Sequence, residues 1–194
     1  ARVQQARSFY RDIYNLLTTK TISTYNQVGY GLYSNKDYGN VKGYTFSLTK
    51  RYDPVSKTSA FVDYTYQVTE GNSVTSGSFY YNALSGEQEE KRIVPLAWDQ
   101  RHILNTNVSV GDPRNWNLGI ISKLSSGWPY TPNIPDANYV PQPNSGRKPW
   151  QWRVDMRLHK NFKVGKLNYL VFMKVYNLLD RRNERYVFND TGRA

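Results

Sequence analysis

The amino-acid sequence predicts an all-β fold, in which antiparallel strands form part of the wall of a transmembrane β-barrel. Three observations support this prediction: segments in which every second residue is apolar, an alternation of short and long connections, and tryptophans near strand ends. All three are typical of barrels that cross a membrane. The apolar run of about 18 residues that a membrane-spanning helix needs does not occur in the chain.

The alternation is clearest in segment 151–161. One row there is apolar (Trp152, Val154, Met156 and Leu158), and the other is ionisable (Arg153, Asp155, Arg157 and His159). A helix would mix the two rows on every face, whereas a strand separates them. The same reasoning predicts strands over 4–16, 41–52, 59–69, 98–110, 115–125, 151–161 and 167–177.

The connections between these strands alternate in length. Short turns are predicted at 53–58, 111–115 and 163–166, and long polar connections at 17–40, 70–97, 126–150 and from Leu178 onwards. Outer-membrane barrels have short periplasmic turns and longer extracellular loops. A strand of about 10–13 residues, tilted by about 40°, also rises by roughly 25–33 Å, which matches the membrane.

Tryptophans fall near the predicted strand ends. They are Trp98, Trp116, Trp128, Trp150 and Trp152. Aromatic girdles of membrane barrels lie at these positions, at both membrane interfaces. The alternative is that these residues anchor the core of a soluble β-sandwich.

The net charge of +11 is open to two interpretations. Basic residues interleaved with aromatic ones would favour nucleic-acid binding, but here the strand rows separate them, so we expect no nucleic-acid partner. We expect the ionisable row to face the barrel lumen, where it could attract an anionic ligand, or to form ion pairs across strands and with a plug domain. The candidate lumen-facing residues are Arg101, Lys123, Arg153, Asp155, Arg157 and His159.

The segment from Trp128 to Val140 is rich in aromatic residues and prolines. Loops on a rigid scaffold often carry binding, so Trp128, Tyr130 and Tyr139 are candidate ligand contacts. A stiff loop that only packs over the barrel mouth is the alternative.

The sequence predicts no enzyme, no metal site and no cofactor. Cysteine is absent, no phosphate-binding or zinc motif occurs, and the histidines His102 and His159 are far apart in the sequence. The acidic residues Glu87, Glu89 and Glu90 lie beside Lys91 and Arg92 in a predicted loop, which favours solvated charge over a pair of catalytic carboxylates.

Six short strings occur in a fixed order at predicted strand ends. They are Asp12–Leu17, Asp37–Gly43, Trp98–His102, Arg153–Arg157, Val175–Asp180 and Asp190–Ala194. Together they resemble the last third of TonB-dependent outer-membrane receptors, especially the Bacteroidetes-like branch. The resemblance covers nearly the whole chain.

This resemblance implies about seven strands of a 22-stranded barrel in the outer membrane of a Gram-negative bacterium. It also implies a plug domain, the remaining barrel strands and membrane lipid as partners, and uptake of a scarce small-molecule, oligosaccharide or peptide ligand with energy from TonB. We expect residues 1–194 to form one barrel segment, with the plug and the final strand outside it. A structural barrel subunit without transport and a soluble all-β binding module are the alternatives.

Overall fold

The computed structural model describes residues 2–23, 29–72, 92–133 and 141–193 of the chain. The strands in this part are β1 Arg2–Ser23, β2 Gly29–Asp53, β3 Thr58–Gly71, β4 Val94–Pro95, β5 His102–Asp112, β6 Trp116–Ser125, β7 Pro129–Tyr130, β8 Gly146–Arg147, β9 Gln151–Val164 and β10 Leu167–Val175. Among the described residues, no helix is long and apolar enough to cross a membrane.

The long strands form one antiparallel sheet in the order β1-β2-β3-β5-β6-β9-β10. Each of them pairs with the next long strand along the chain. The short β4 pairs with the end of β3, and β7 and β8 form a separate small hairpin. The prediction of an all-β antiparallel sheet of about seven barrel strands is therefore confirmed.

The predicted long connection 17–40 is wrong, because most of it is strand. β1 continues to Ser23 and β2 begins at Gly29, with the two strands paired along nearly their whole length. Asn15, at φ 61°, marks a bulge where the register shifts between Ile13 and Leu16. This segment lacks the apolar alternation that signals a strand, but backbone pairing does not require that alternation.

The predicted start of strand 98–110 is also wrong. β5 begins at His102, and residues 98–101 turn inward, where the backbone nitrogen of Asp99 donates to the carbonyl of Leu96 at 2.8 Å. β9 extends to Val164, so its connection to β10 has two residues and not the predicted four. Gly165 there has a φ of 60°, the positive value that tight hairpin turns require.

The turn after β2 is held by Asp53. Its carboxylate accepts hydrogen bonds from the backbone nitrogens of Val55 at 3.1 Å and Ser56 at 3.3 Å. Hydrogen bonds from the Ser56 side chain and from these two nitrogens lower the pKa of Asp53 below its usual range. This acidic residue therefore stabilises the turn in its charged form.

The register divides the sheet into two faces of different chemistry. The face that we call the apolar face carries Phe46, Leu48, Val62, Tyr64, Leu104, Val108, Leu118, Ile120, Met156, Leu158, Val171 and Met173. Among the described residues, the buried hydrophobic side chains are Val94, Leu96 and Val154 alone. The sheet therefore has almost no protein core, and its apolar face needs another cover.

Aromatic rings lie at both ends of the apolar face. At the long-loop end, the His102 ring lies 5.1 Å from the Tyr66 ring and 5.5 Å from the Trp150 ring, measured between centroids. At the short-turn end, Phe162 stacks on Tyr169 at 5.5 Å. Positions 152 and 162 of β9 are separated by about 33 Å along the strand, or roughly 25 Å across a membrane at a tilt of about 40°.

Candidate functional site

The opposite face of the sheet, which we call the basic face, brings together most of the predicted lumen-facing residues. β9 places Arg153, Asp155, Arg157 and His159 on this face, and Lys123 of β6 lies opposite Arg153. The cationic side chains on it include Arg7, Arg11, Lys123, Arg153, Arg157, Lys163 and Lys174, and its carboxylates within the described strands include Asp37, Asp63 and Asp155. The face is therefore strongly positive.

One ion pair on this face lies along β9 and joins Arg153 to Asp155. Arg153 donates from Nε to Asp155 at 2.8 Å, and its guanidinium carbon lies 5.7 Å from the centre of the Tyr176 ring. The backbone nitrogen of Asn177 donates to the same Asp155 oxygen at 2.8 Å. His159 contacts the carbonyl of Pro113 at 3.4 Å.

The basic face contains a groove of about 600 Å³. Its lining combines charged, amide and apolar side chains, among them Phe61, Asn107, Ile121, Arg157, Lys174 and Tyr176. This volume lies within the range of about 300–1,000 Å³ that is usual for small-molecule pockets. The groove is the candidate ligand-contacting part of the wall.

The long-loop end of the sheet is closed by a cluster centred on Asp99, which is fully buried. The Asp99 carboxylate accepts hydrogen bonds from the backbone nitrogen of Thr69 at 2.8 Å and from Arg101 Nε at 3.2 Å. Arg147 of β8 binds both the Asp99 carboxylate and its backbone carbonyl. Leu96, also fully buried, packs beside this cluster against Gly39 and Gly71.

The Asp99 cluster joins three parts of the chain: the end of β3, the start of β5 and the β7–β8 hairpin. Arg101 belongs to this cluster at the end of the sheet, whereas the other predicted lumen-facing residues lie along β6 and β9. Asn144 extends the connection, because its side-chain nitrogen donates to the carbonyl of Pro95 at 2.8 Å. These hydrogen bonds therefore fix residues 95–101 and 144–147 to the end of the sheet.

The candidate ligand-loop residues occupy different environments. Trp128 is exposed just before β7. Tyr130 of β7 packs between Gly146 and Gly192, so the tail that follows β10 covers it. Tyr139 lies outside the described residues, as do Glu87, Glu89, Glu90 and most of the predicted connection 70–97.

The tail from Leu178 runs back along β9. Its Asn183 accepts a hydrogen bond from the backbone nitrogen of Trp152 at 2.8 Å, and Arg181 donates to the carbonyl of Trp150 at 3.0 Å. Lys148 reaches the carbonyl of Arg185 at 2.9 Å. The tail thus packs at the long-loop end of the sheet, beside the β7–β8 hairpin.

Sequence reasoning missed Lys174, Arg147 and the burial of Asp99. Lys174 lies in a segment that is apolar on both sides, so no polar row marked it. Arg147 and Asp99 are far apart in the sequence, and only the folded loops bring them together. Among the described residues, no group of histidine, aspartate and glutamate side chains could hold a metal ion.

The fold of this chain is similar to part of a solved structure. The crystal structure of the outer membrane transporter YddB from Escherichia coli is similar to the chain, with a TM-score of 0.69 at 12% sequence identity. The fold is that of an outer-membrane β-barrel wall. The match covers 94% of this chain and 27% of the transporter, so the chain spans about a quarter of that protein's length. No family model and no curated protein matches the chain.

Proposed function

We propose that this chain is a wall segment of an outer-membrane transporter of a Gram-negative bacterium, which imports a scarce ligand with energy transmitted by TonB. The observation that carries the proposal is the two-faced sheet. One face is apolar and almost without protein cover, and the other is polar and strongly basic. A membrane barrel requires this division, because its outer wall meets lipid and its inner wall meets water.

In this proposal the apolar face contacts the membrane and the basic face lines the lumen. The short turns lie in the periplasm, and the Asp99 cluster and the β7–β8 hairpin lie at the extracellular mouth. Of the two ligand-loop candidates that the structure describes, Trp128 is exposed there and is better placed than Tyr130 to contact a solute. The remaining barrel strands and a plug domain complete the transporter, and its ligand is a small molecule, an oligosaccharide or a peptide.

The test begins with the location of the full-length protein. We expect it in the outer-membrane fraction after a salt wash, and released only by detergent. Recovery in the salt-washed soluble extract would contradict the membrane assignment and favour a soluble binding module.

Transport itself is tested by the depletion of solutes from the growth medium. We compare wild-type cells with cells that lack the gene encoding this chain and with cells that lack TonB. The proposal expects that both mutants fail to deplete the same compounds. A folded barrel in the outer membrane with unchanged depletion would contradict transport and favour a structural role.

A further inference from the structure

Two pairs of like charges lie directly opposite each other on the basic face. Lys174 of β10 faces Arg157 of β9, and Lys123 of β6 faces Arg153 of β9. Side chains at directly opposite positions of antiparallel strands have Cβ atoms about 4.5–5.5 Å apart, and like charges there destabilise the sheet. Two such pairs on one face are therefore stabilised by a nearby negative charge.

The two pairs differ in how that charge is supplied. Arg153 is compensated by Asp155, whose carboxylate oxygen lies 2.8 Å from Arg153 Nε. The same oxygen also accepts the backbone nitrogen of Asn177, so Asp155 is already engaged. Among the residues that the structure describes, no carboxylate lies within ion-pair distance of Arg157 or Lys174. The Lys174 amine lies 5.8 Å from the centre of the Phe172 ring.

The uncompensated pair lines the groove of the basic face. Arg157 and Lys174 lie on its wall beside the apolar Phe61 and Ile121. Asn117, which also lines the groove, accepts a hydrogen bond from Ser109 at 2.8 Å. Asp155 also lines the groove, but its carboxylate is engaged by Arg153 and Asn177. Arg157 and Lys174 are both exposed, so an anion can approach them from solvent and is attracted by their combined charge.

We propose that Arg157 and Lys174 form an anion-binding subsite for a compact carboxylate or phosphate group of the transported ligand. This inference rests on the proposed transport function and adds the chemical class of the ligand. A guanidinium binds such groups with two parallel hydrogen bonds, and the ammonium of Lys174 adds a second charge from the neighbouring strand. The bound anion removes the repulsion between the two cations.

The test uses the full-length protein in detergent, with citrate as the probe at constant ionic strength. We expect citrate to raise the melting temperature of the wild-type protein saturably. The substitutions Arg157→Gln and Lys174→Gln each weaken citrate binding by about tenfold or more, which corresponds to the loss of a charge-assisted hydrogen bond. Lys160→Gln is the matched control, because it removes a cation from β9 on the apolar face and leaves citrate binding unchanged.

A second readout separates this subsite from a purely structural role. Without citrate, Lys174→Gln raises the melting temperature, because it removes the like-charge repulsion. If it lowers the melting temperature equally with and without citrate, an acidic protein surface covers the pair, and the proposal is overturned. A wild-type protein that shows no saturable response to millimolar citrate overturns it as well.

The citrate-binding test and the solute-depletion test can fail independently of each other. A protein that binds citrate through Arg157 and Lys174, but whose deletion leaves the medium unchanged, would refute transport and leave the anion subsite standing. A protein that imports solutes but ignores citrate would refute the subsite alone.

Discussion

The substitution Asp99→Asn tests whether the buried cluster holds the loops at the long-loop end. The carboxylate accepts one hydrogen bond from the Thr69 backbone and one each from Arg101 and Arg147. An asparagine can keep the backbone bond, but it loses the charge that both guanidinium groups bind. We therefore expect the β7–β8 hairpin to open more often in the variant.

The size of the effect follows from these contacts. A hydrogen bond to a charged group contributes about 1.5–3 kcal/mol, so the loss of two would cost about 3–6 kcal/mol. The side chains of Arg101 and Arg147 are 36% and 30% exposed, so water replaces part of what they lose. The expected loss of local stability is therefore about 2–4 kcal/mol.

Hydrogen exchange of the full-length protein in detergent measures this loss. At about 1.4 kcal/mol per tenfold change, backbone amides of residues 92–101 and 141–150 should exchange roughly 30-fold to 700-fold faster in Asp99→Asn. Asp190→Asn is the matched control, because the side chain of Asp190 in the exposed tail accepts only the Thr191 nitrogen. Unchanged exchange in Asp99→Asn would show that Asp99 does not hold the hairpin.

Three further predictions follow from the turns, the glycines and the tryptophans. Gly43→Ala should lower the melting temperature, because the new Cβ would clash with the Tyr66 carbonyl and lie 2.9 Å from the Cα of Gln67. Gly119→Ala is the control: its new Cβ would have its nearest neighbour at 3.8 Å, so the melting temperature should not change. Asp53 has a lowered pKa in the folded protein, so its charged form stabilises the turn after β2. This stabilisation is fully present above the ordinary carboxyl pKa of about 4 and is lost as the pH falls through the lower folded value. The melting-temperature advantage of the wild-type protein over Asp53→Asn should therefore disappear in acid. Two variants, one with Trp116 and one with Trp152 as its single tryptophan, test the membrane interfaces in lipid vesicles. Lipids brominated near the headgroup should quench the fluorescence of both most strongly. Stronger quenching by bromine at the bilayer centre would contradict the assignment of these residues to the interfaces.

The sequence predicted the sheet well where one row of a strand is apolar and the other polar. Segments 115–125 and 151–161 have this contrast, and both fall on observed strands. The hairpin of β1 and β2 was underestimated, because its outer part has no regular alternation of apolar and polar residues, whereas its strands still pair through the backbone. Alternation therefore detects contact with an apolar medium and does not detect backbone pairing as such.

The candidate site was predicted only in part, for a related reason. The row of Arg153, Asp155 and Arg157 was visible, because it belongs to one strand with a clear period of two. The position of Lys174 opposite Arg157 depends on the register of β9 and β10, and this register is set by the turn at Gly165. The burial of Asp99 depends on loops that fold together over a long sequence separation, where no periodicity exists.

The order of the strands also bears on how the chain assembles. Each long strand pairs with its neighbour in the sequence, so the entropy lost in closing each connection is that of a short loop in four cases: β1 to β2, β2 to β3, β5 to β6, and β9 to β10. Hairpins of this kind form within about 1–10 μs. Assembly then reduces to the lateral docking of three preformed units, β1–β2–β3, β5–β6 and β9–β10, and the slow steps are the joins across the two longer connections, β3 to β5 and β6 to β9.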